Sequence, residues 1–118
     1  VGYMPIGSPR RPERDICPED VADLEVPEMQ AIAKAHGVHP ALIALKWAHQ
    51  RGEISMPFSI HNYASNLKCV TEDPLTDEVM ATIATLEKGN RLVKGQVFLW
   101  HGAKDWHDLW DEDGVIVK

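Results

Sequence analysis

The chain is apolar from Tyr3 to Ile6 and is then closed by Gly7-Ser8-Pro9, a pattern that predicts a short strand and its exit turn. Arg10-Arg11-Pro12-Glu13-Arg14-Asp15 follows, charged, punctuated by proline and without periodicity, as a long surface loop would be. Pro27 suits the first turn of a helix that carries Met29, Ile32 and Ala33 on one face, and Gly37 suits a left-handed stop. Pro40 opens a second helix, apolar over most of its circumference through Leu42, Ile43, Leu45 and Trp47, and Gly52 closes it. A helix apolar on so many sides is expected to pack against something large.

A second apolar stretch, Ile54 to Ile60, predicts another strand, and Asn62 is placed to cap a helix through Val70. Asp73-Pro74 breaks the chain. Thr76 then caps a helix with an acidic first turn, Asp77 and Glu78, and with Val79, Met80, Ile83 and Leu86 at helical spacing before Gly89. The remainder is a tail rich in tryptophan, in which Trp106, Leu109 and Trp110 share one face of a short helix that Asp105 can cap. Strand, loop, helix, helix, strand, helix, helix, tail is the resulting order, and it implies a right-handed parallel crossover. Two parallel strands leave open edges and a half-covered core, so the pattern is expected to be the C-terminal fragment of a larger α/β protein.

Composition narrows this further. The chain has 118 residues, 44% hydrophobic and 25% charged, the profile of a globular domain. A net charge of −6 argues against a nucleic-acid coat. Apolar runs such as Ala41–Leu45 are too short to cross a bilayer, so no membrane partner and a cytoplasmic location are expected. Cys17 and Cys69 form no ligand pair and read as free thiols. His36, His39, His49, His101 and His107 share no ligand spacing, and no metal is expected.

Four pieces of the chain, taken in order, resemble the aldo-keto reductases. They are Gly2-Tyr3-Met4-Pro5-Ile6-Gly7-Ser8-Pro9; Ile32-Ala33-Lys34-Ala35-His36-Gly37-Val38 with the helix from Pro40 to Gln50-Arg51-Gly52; Met56-Pro57-Phe58-Ser59; and Asn66-Leu67. The resemblance runs through Leu92. It implies the C-terminal part of a (β/α)8 TIM barrel: strands 7 and 8 with their helices in residues 1–92, and a C-terminal substrate loop or tail in residues 93–118. A whole barrel needs about 250 residues. No position here matches the family's catalytic Asp, Tyr, Lys and His, so no catalytic residue is assigned to this chain.

The resemblance also implies roles. Tyr3 would stack on the nicotinamide ring, where the plainer reading is a tyrosine of the barrel core. Ile6, Gly7 and Ser8 would hold the cofactor's pyrophosphate through backbone N–H groups and a hydroxyl. Phe58 and Ser59 fall where the family commonly has Lys-Ser around the adenosine 2′-phosphate, and Asn66 falls near the adenine. Phe58 replaces that lysine, Ser65 replaces a glutamate, the usual arginine has no counterpart, and the segment between Ser59 and Asn66 is shortened. A 2′-phosphate ordinarily needs Lys or Arg nearby, so the cofactor is NADP or NAD, its preference open. Phe98, Trp100 and Trp106 would wall the pocket of a small carbonyl or alcohol substrate, where the plainer reading of the tail is docking onto the barrel. The expected function is reversible hydride transfer to aldehydes and ketones by the intact protein, with the rest of the barrel as partner. The alternative is a non-catalytic barrel subunit, or a truncated fragment with a binding or regulatory role.

Overall fold

The computed structural model describes residues 1–8 and 10–110. Pro9 and residues 111–118 lie outside the described residues. Strand β1 (Gly2–Tyr3) pairs in parallel with β2 (Ser55–Met56), Gly2 opposite Ser55 and Tyr3 opposite Met56. Between them come α1 (Pro27–Ala35) and α2 (Pro40–Gln50); α3 (Tyr63–Thr71), α4 (Asp77–Ala84) and α5 (His107–Trp110) follow. The helix, helix crossover expected from the sequence is present.

Both strands are shorter than their apolar runs. Met4 takes a left-handed φ of 50° and the Gly7 N–H donates to the Met4 carbonyl at 3.0 Å, so the chain turns as soon as Tyr3 has paired. In the second run, Pro57 has no N–H to donate, and the ladder ends at Met56. Hydrophobicity reports where a segment is buried or paired; it does not count ladder bonds.

The helices follow their punctuation. Pro27 and Pro40 occupy first turns, and Gly37 (φ 66°) and Gly52 (φ 88°) supply the left-handed residues beyond the ends of α1 and α2. Thr76 Oγ1 accepts from the Val79 N–H at 3.3 Å, as a cap should. Asn62 does occupy the cap position of α3, yet its side chain makes no capping bond; instead Ser59 Oγ accepts from the Asn62 N–H at 2.8 Å.

The core gathers Val26, Met29, Ala33, Ile43, Leu75 and Ile83, so α1, α2 and α4 share one apolar centre. Ile43 and Leu45 are fully buried. The segment between α3 and α4 is fastened to α2 by polar bonds. Lys46 Nζ donates to the Asp73 carbonyl at 2.7 Å. Gln50 grips Leu75 twice, accepting from its N–H at 2.7 Å and donating to its carbonyl at 3.0 Å. On the sheet side, Tyr3, Ile54, Met56, Phe58 and Ile60 are all exposed.

Candidate functional site

In a parallel pair the C-terminal ends of both strands lie on one side, where α/β proteins place their ligands. The turn after β1 and the turn after β2 therefore open on the same side of the sheet. Gly7 is buried with φ 71°, and a Cβ there would fall 2.8 Å from Leu92 Cδ1 and 3.0 Å from Asp23 Oδ2. Ser8 follows with φ 47°, a strained value for a residue with a side chain. Two successive residues with positive φ make a sharp turn that neither a strand nor a helix contains.

One arginine braces this turn. The Arg11 guanidinium donates to the Gly7 carbonyl at 3.3 Å, to the Asp15 carbonyl at 3.2 Å and to Asp20 at 2.6 Å. Asp20 is a hub. Its Oδ2 accepts from Arg11 and from the Cys17 N–H at 2.9 Å; its Oδ1 accepts from Asn90 Nδ2 at 2.9 Å and Lys94 Nζ at 3.0 Å. Burial alone would push the Asp20 carboxyl up, but the Cys17, Asn90, Lys94 and Arg11 donors hold it well below the usual carboxylate range. Burial likewise works against the Lys94 charge, and the hydrogen bonds of Cys17 and Asp20 outweigh it, so the ammonium titrates above its ordinary value. Asp23, beside Gly7, goes the other way: burial and the neighbouring Glu87 charge raise it.

The second turn is built differently. Phe58 is 90% exposed and brings no charge. Ser59 Oγ accepts from the N–H of Asn62, the residue that precedes α3, and Asn66 lies half-buried within that helix. Tyr3 is 69% exposed and Ile6 half-buried.

Along the tail, Trp110 Nε1 donates to the Lys94 carbonyl at 2.7 Å, and the Arg91 guanidinium lies 4.0 Å from the Trp110 ring centroid. A Cβ on Gly95 would fall 2.8 Å from Leu109 Cδ2, so the α5 side chains sit directly on this segment. Asp105 Oδ1 accepts from the His107 N–H at 2.8 Å, and Trp106 stacks on the His107 ring at 3.7 Å. Phe98 is exposed, Trp100 lies at the edge of exposure and Trp106 is half-buried. Sequence reasoning missed Arg11, Asp20, Asn90 and Lys94. For Arg11, Asp20 and Lys94 the signal was charge inside otherwise plain loop segments, which ordinarily means a solvated surface, and Asn90 carried no such signal.

The sequence profile of the Aldo/keto reductase family matches residues 1–88. The chain belongs to the aldo/keto reductase family. Among curated aldo/keto reductases, one from Synechocystis sp. is 34% identical over 115 residues, covering 95% of this chain and 35% of the relative. Aldo-keto reductase family 1 member A1-A of Danio rerio is 32% identical over 110 residues, with 92% and 33% covered. Member A1 of Xenopus tropicalis is 38% identical over 95 residues, with 79% and 28% covered. The chain thus spans about a third of the length of the relatives it matches. Among the described residues no helix is long and apolar enough to cross a membrane, and no three His, Cys, Asp or Glu side chains are grouped to hold a metal.

Proposed function

We propose that this chain is the cofactor-binding C-terminal part of an NAD(P)H-dependent aldo/keto reductase barrel, contributing strands 7 and 8 with their helices, and a tail that lines the substrate pocket. The observation that carries the reading is the left-handed Gly7-Ser8 turn at the end of a parallel strand, with Arg11 behind it. Among the described residues the Ser8 hydroxyl and N–H have no hydrogen-bonding partner, so both remain available to a diphosphate oxygen. The exposed Tyr3 and Met56 of the strands, with Ile54 and Phe58 beside them, suit a parallel sheet whose faces are covered by further elements of a barrel.

When bound, the cofactor supplies a hydride to the carbonyl carbon of an aldehyde or ketone, or accepts one from an alcohol. This chain's part is to bind and orient. Ser8 would hold the diphosphate through its N–H and hydroxyl, Gly7 would shape the turn, its own N–H already serving the Met4 carbonyl, Ile6 would pack beside them, and Tyr3 would offer its ring to the nicotinamide. Phe98, Trp100 and Trp106 would supply aromatic surface to the substrate from the tail. On this reading no residue of this chain is assigned the delivery of the proton.

The second turn fits a 2′-phosphate poorly. Phe58 is exposed and brings no charge where a 2′-phosphate needs one. The reading therefore favours acceptance of NADH, with Ser59 and Asn66 toward the adenosine. Fluorescence titration of the protein, at the length its source makes, with NADH and with NADPH tests both statements. Binding of NADH at least as tight as NADPH agrees with them. Binding of neither removes the cofactor role, and a strong preference for NADPH removes the argument from Phe58.

A further inference from the structure

The loop after β1 and the tail after α4 meet on one buried carboxylate. Asp20 and Lys94 side chains are each 2% exposed, and that of Arg11 is 8% exposed. From Asp20 one path runs through Arg11 to the Gly7 carbonyl; the other runs through Lys94, whose carbonyl receives the Trp110 indole and whose ammonium lies 5.8 Å from the Trp106 ring centroid. The three charges are mutually dependent. A buried charge that loses its partner is left uncompensated, and the remaining groups must move toward water or toward each other.

We propose that Asp20 is a positioning residue that couples the Gly7-Ser8 turn to the C-terminal tail, so that docking of the tail sets how tightly the turn holds a dinucleotide diphosphate. This rests on the reading of that turn as the diphosphate cradle. Arg11 grips the Gly7 carbonyl and so fixes the peptide between Gly7 and Ser8, whose N–H faces the diphosphate. Arg11 is itself fixed by Asp20, and Asp20 is shared with Asn90 and Lys94. Losing a tail donor lets the carboxylate follow Arg11 and frees the guanidinium to leave Gly7. Coupling of this kind is reciprocal: a diphosphate on the turn strengthens the docking of the tail.

The test is equilibrium binding of NADH and NADPH to the protein at its natural length, comparing wild type, Lys94→Met, Lys94→Arg, Arg11→Met and the Arg11→Met/Lys94→Met double variant, each confirmed as folded by circular dichroism. Lys94→Met, a change in the tail, is expected to weaken dinucleotide binding about five-fold or more. Lys94→Arg is expected to restore most of that loss. The double variant is expected to bind no more weakly than Arg11→Met alone, because both changes act through Asp20. Unaltered affinity in Lys94→Met, or losses that multiply in the double variant, overturns the coupling. Should Lys94→Met fail to fold, Asn90→Ala decides: its exposed side chain holds the same Asp20 oxygen, a loss of about two-fold is expected, and no loss overturns the proposal. Wild-type protein that binds neither dinucleotide overturns the cradle reading and the coupling together, whereas a binding wild type with an unaffected Lys94→Met overturns the coupling alone.

Discussion

Asp20 Oδ1 and Lys94 Nζ lie 3.0 Å apart although 74 residues separate them in the chain, and both side chains are withdrawn from water. A pair so buried stabilises less than its Coulomb attraction suggests, but breaking it from one side is costly. Asp20→Ala leaves the Arg11 and Lys94 charges without their acceptor and is expected to cost about 3–5 kcal/mol. Urea denaturation measures it; a loss below about 1 kcal/mol would mean that the network relaxes freely.

The pH dependence of stability carries the signature of the same carboxylate. Burial raises Asp20 and its four donors lower it further than that, so its folded value lies below the unfolded one. The unfolded chain then binds the extra proton, and stability rises with pH through that interval. The contribution is present above the ordinary carboxylate value and is lost as pH falls below it. Asp23, raised by burial and by Glu87, acts in the opposite sense, favouring the folded state as pH drops toward that ordinary value. Urea midpoints between about pH 6 and pH 2 should show a steep acid limb in the wild type that flattens in Asp20→Asn.

Gly7→Ala tests the first turn from the backbone side. The substitution forces φ 71° on a residue with a Cβ and drives that Cβ against Leu92. A stability loss of about 1–3 kcal/mol is expected, with weakened dinucleotide binding in the fraction that folds. Thermal denaturation and fluorescence titration read the two effects separately.

At the second turn, Phe58→Lys places an ammonium where Phe58 now meets solvent. Affinity for NADPH relative to NADH is expected to rise about ten-fold, the scale of one charge-assisted hydrogen bond. No change in the ratio would show that the adenosine end of the cofactor lies elsewhere.

Gln50 holds the chain between α3 and α4 by two bonds to the Leu75 backbone. Gln50→Ala strands a buried N–H and carbonyl and is expected to cost about 1–3 kcal/mol in urea denaturation. Dinucleotide affinity should be unaltered, since Gln50 is remote in role from both turns.

Much of the fold was legible because its boundaries are written in residues with one physical preference. Pro27, Pro40, Gly37, Gly52 and Thr76 mark starts and stops that local geometry obeys whatever surrounds them. Strand lengths were not legible, since the apolar runs at Tyr3–Ile6 and Ile54–Ile60 do not say which residues find a ladder partner. Asn62 was a reasonable cap by type and holds the cap position, but its side chain bonds no N–H of the first turn; Ser59 Oγ accepts from a different donor, the N–H of Asn62 itself. The Gly7-Ser8 turn was visible as residue types. The Arg11, Asp20 and Lys94 network behind it was not, because partners brought together over such separations leave no periodicity to read.

The central claim is that the Gly7-Ser8 turn holds the dinucleotide, and hydrogen exchange of backbone amides with and without saturating NADH tests it most directly. The account predicts slowed exchange at Gly7, Ser8 and Arg11, with little change in α4. Binding of NADH that leaves the exchange of those amides unaltered would contradict it.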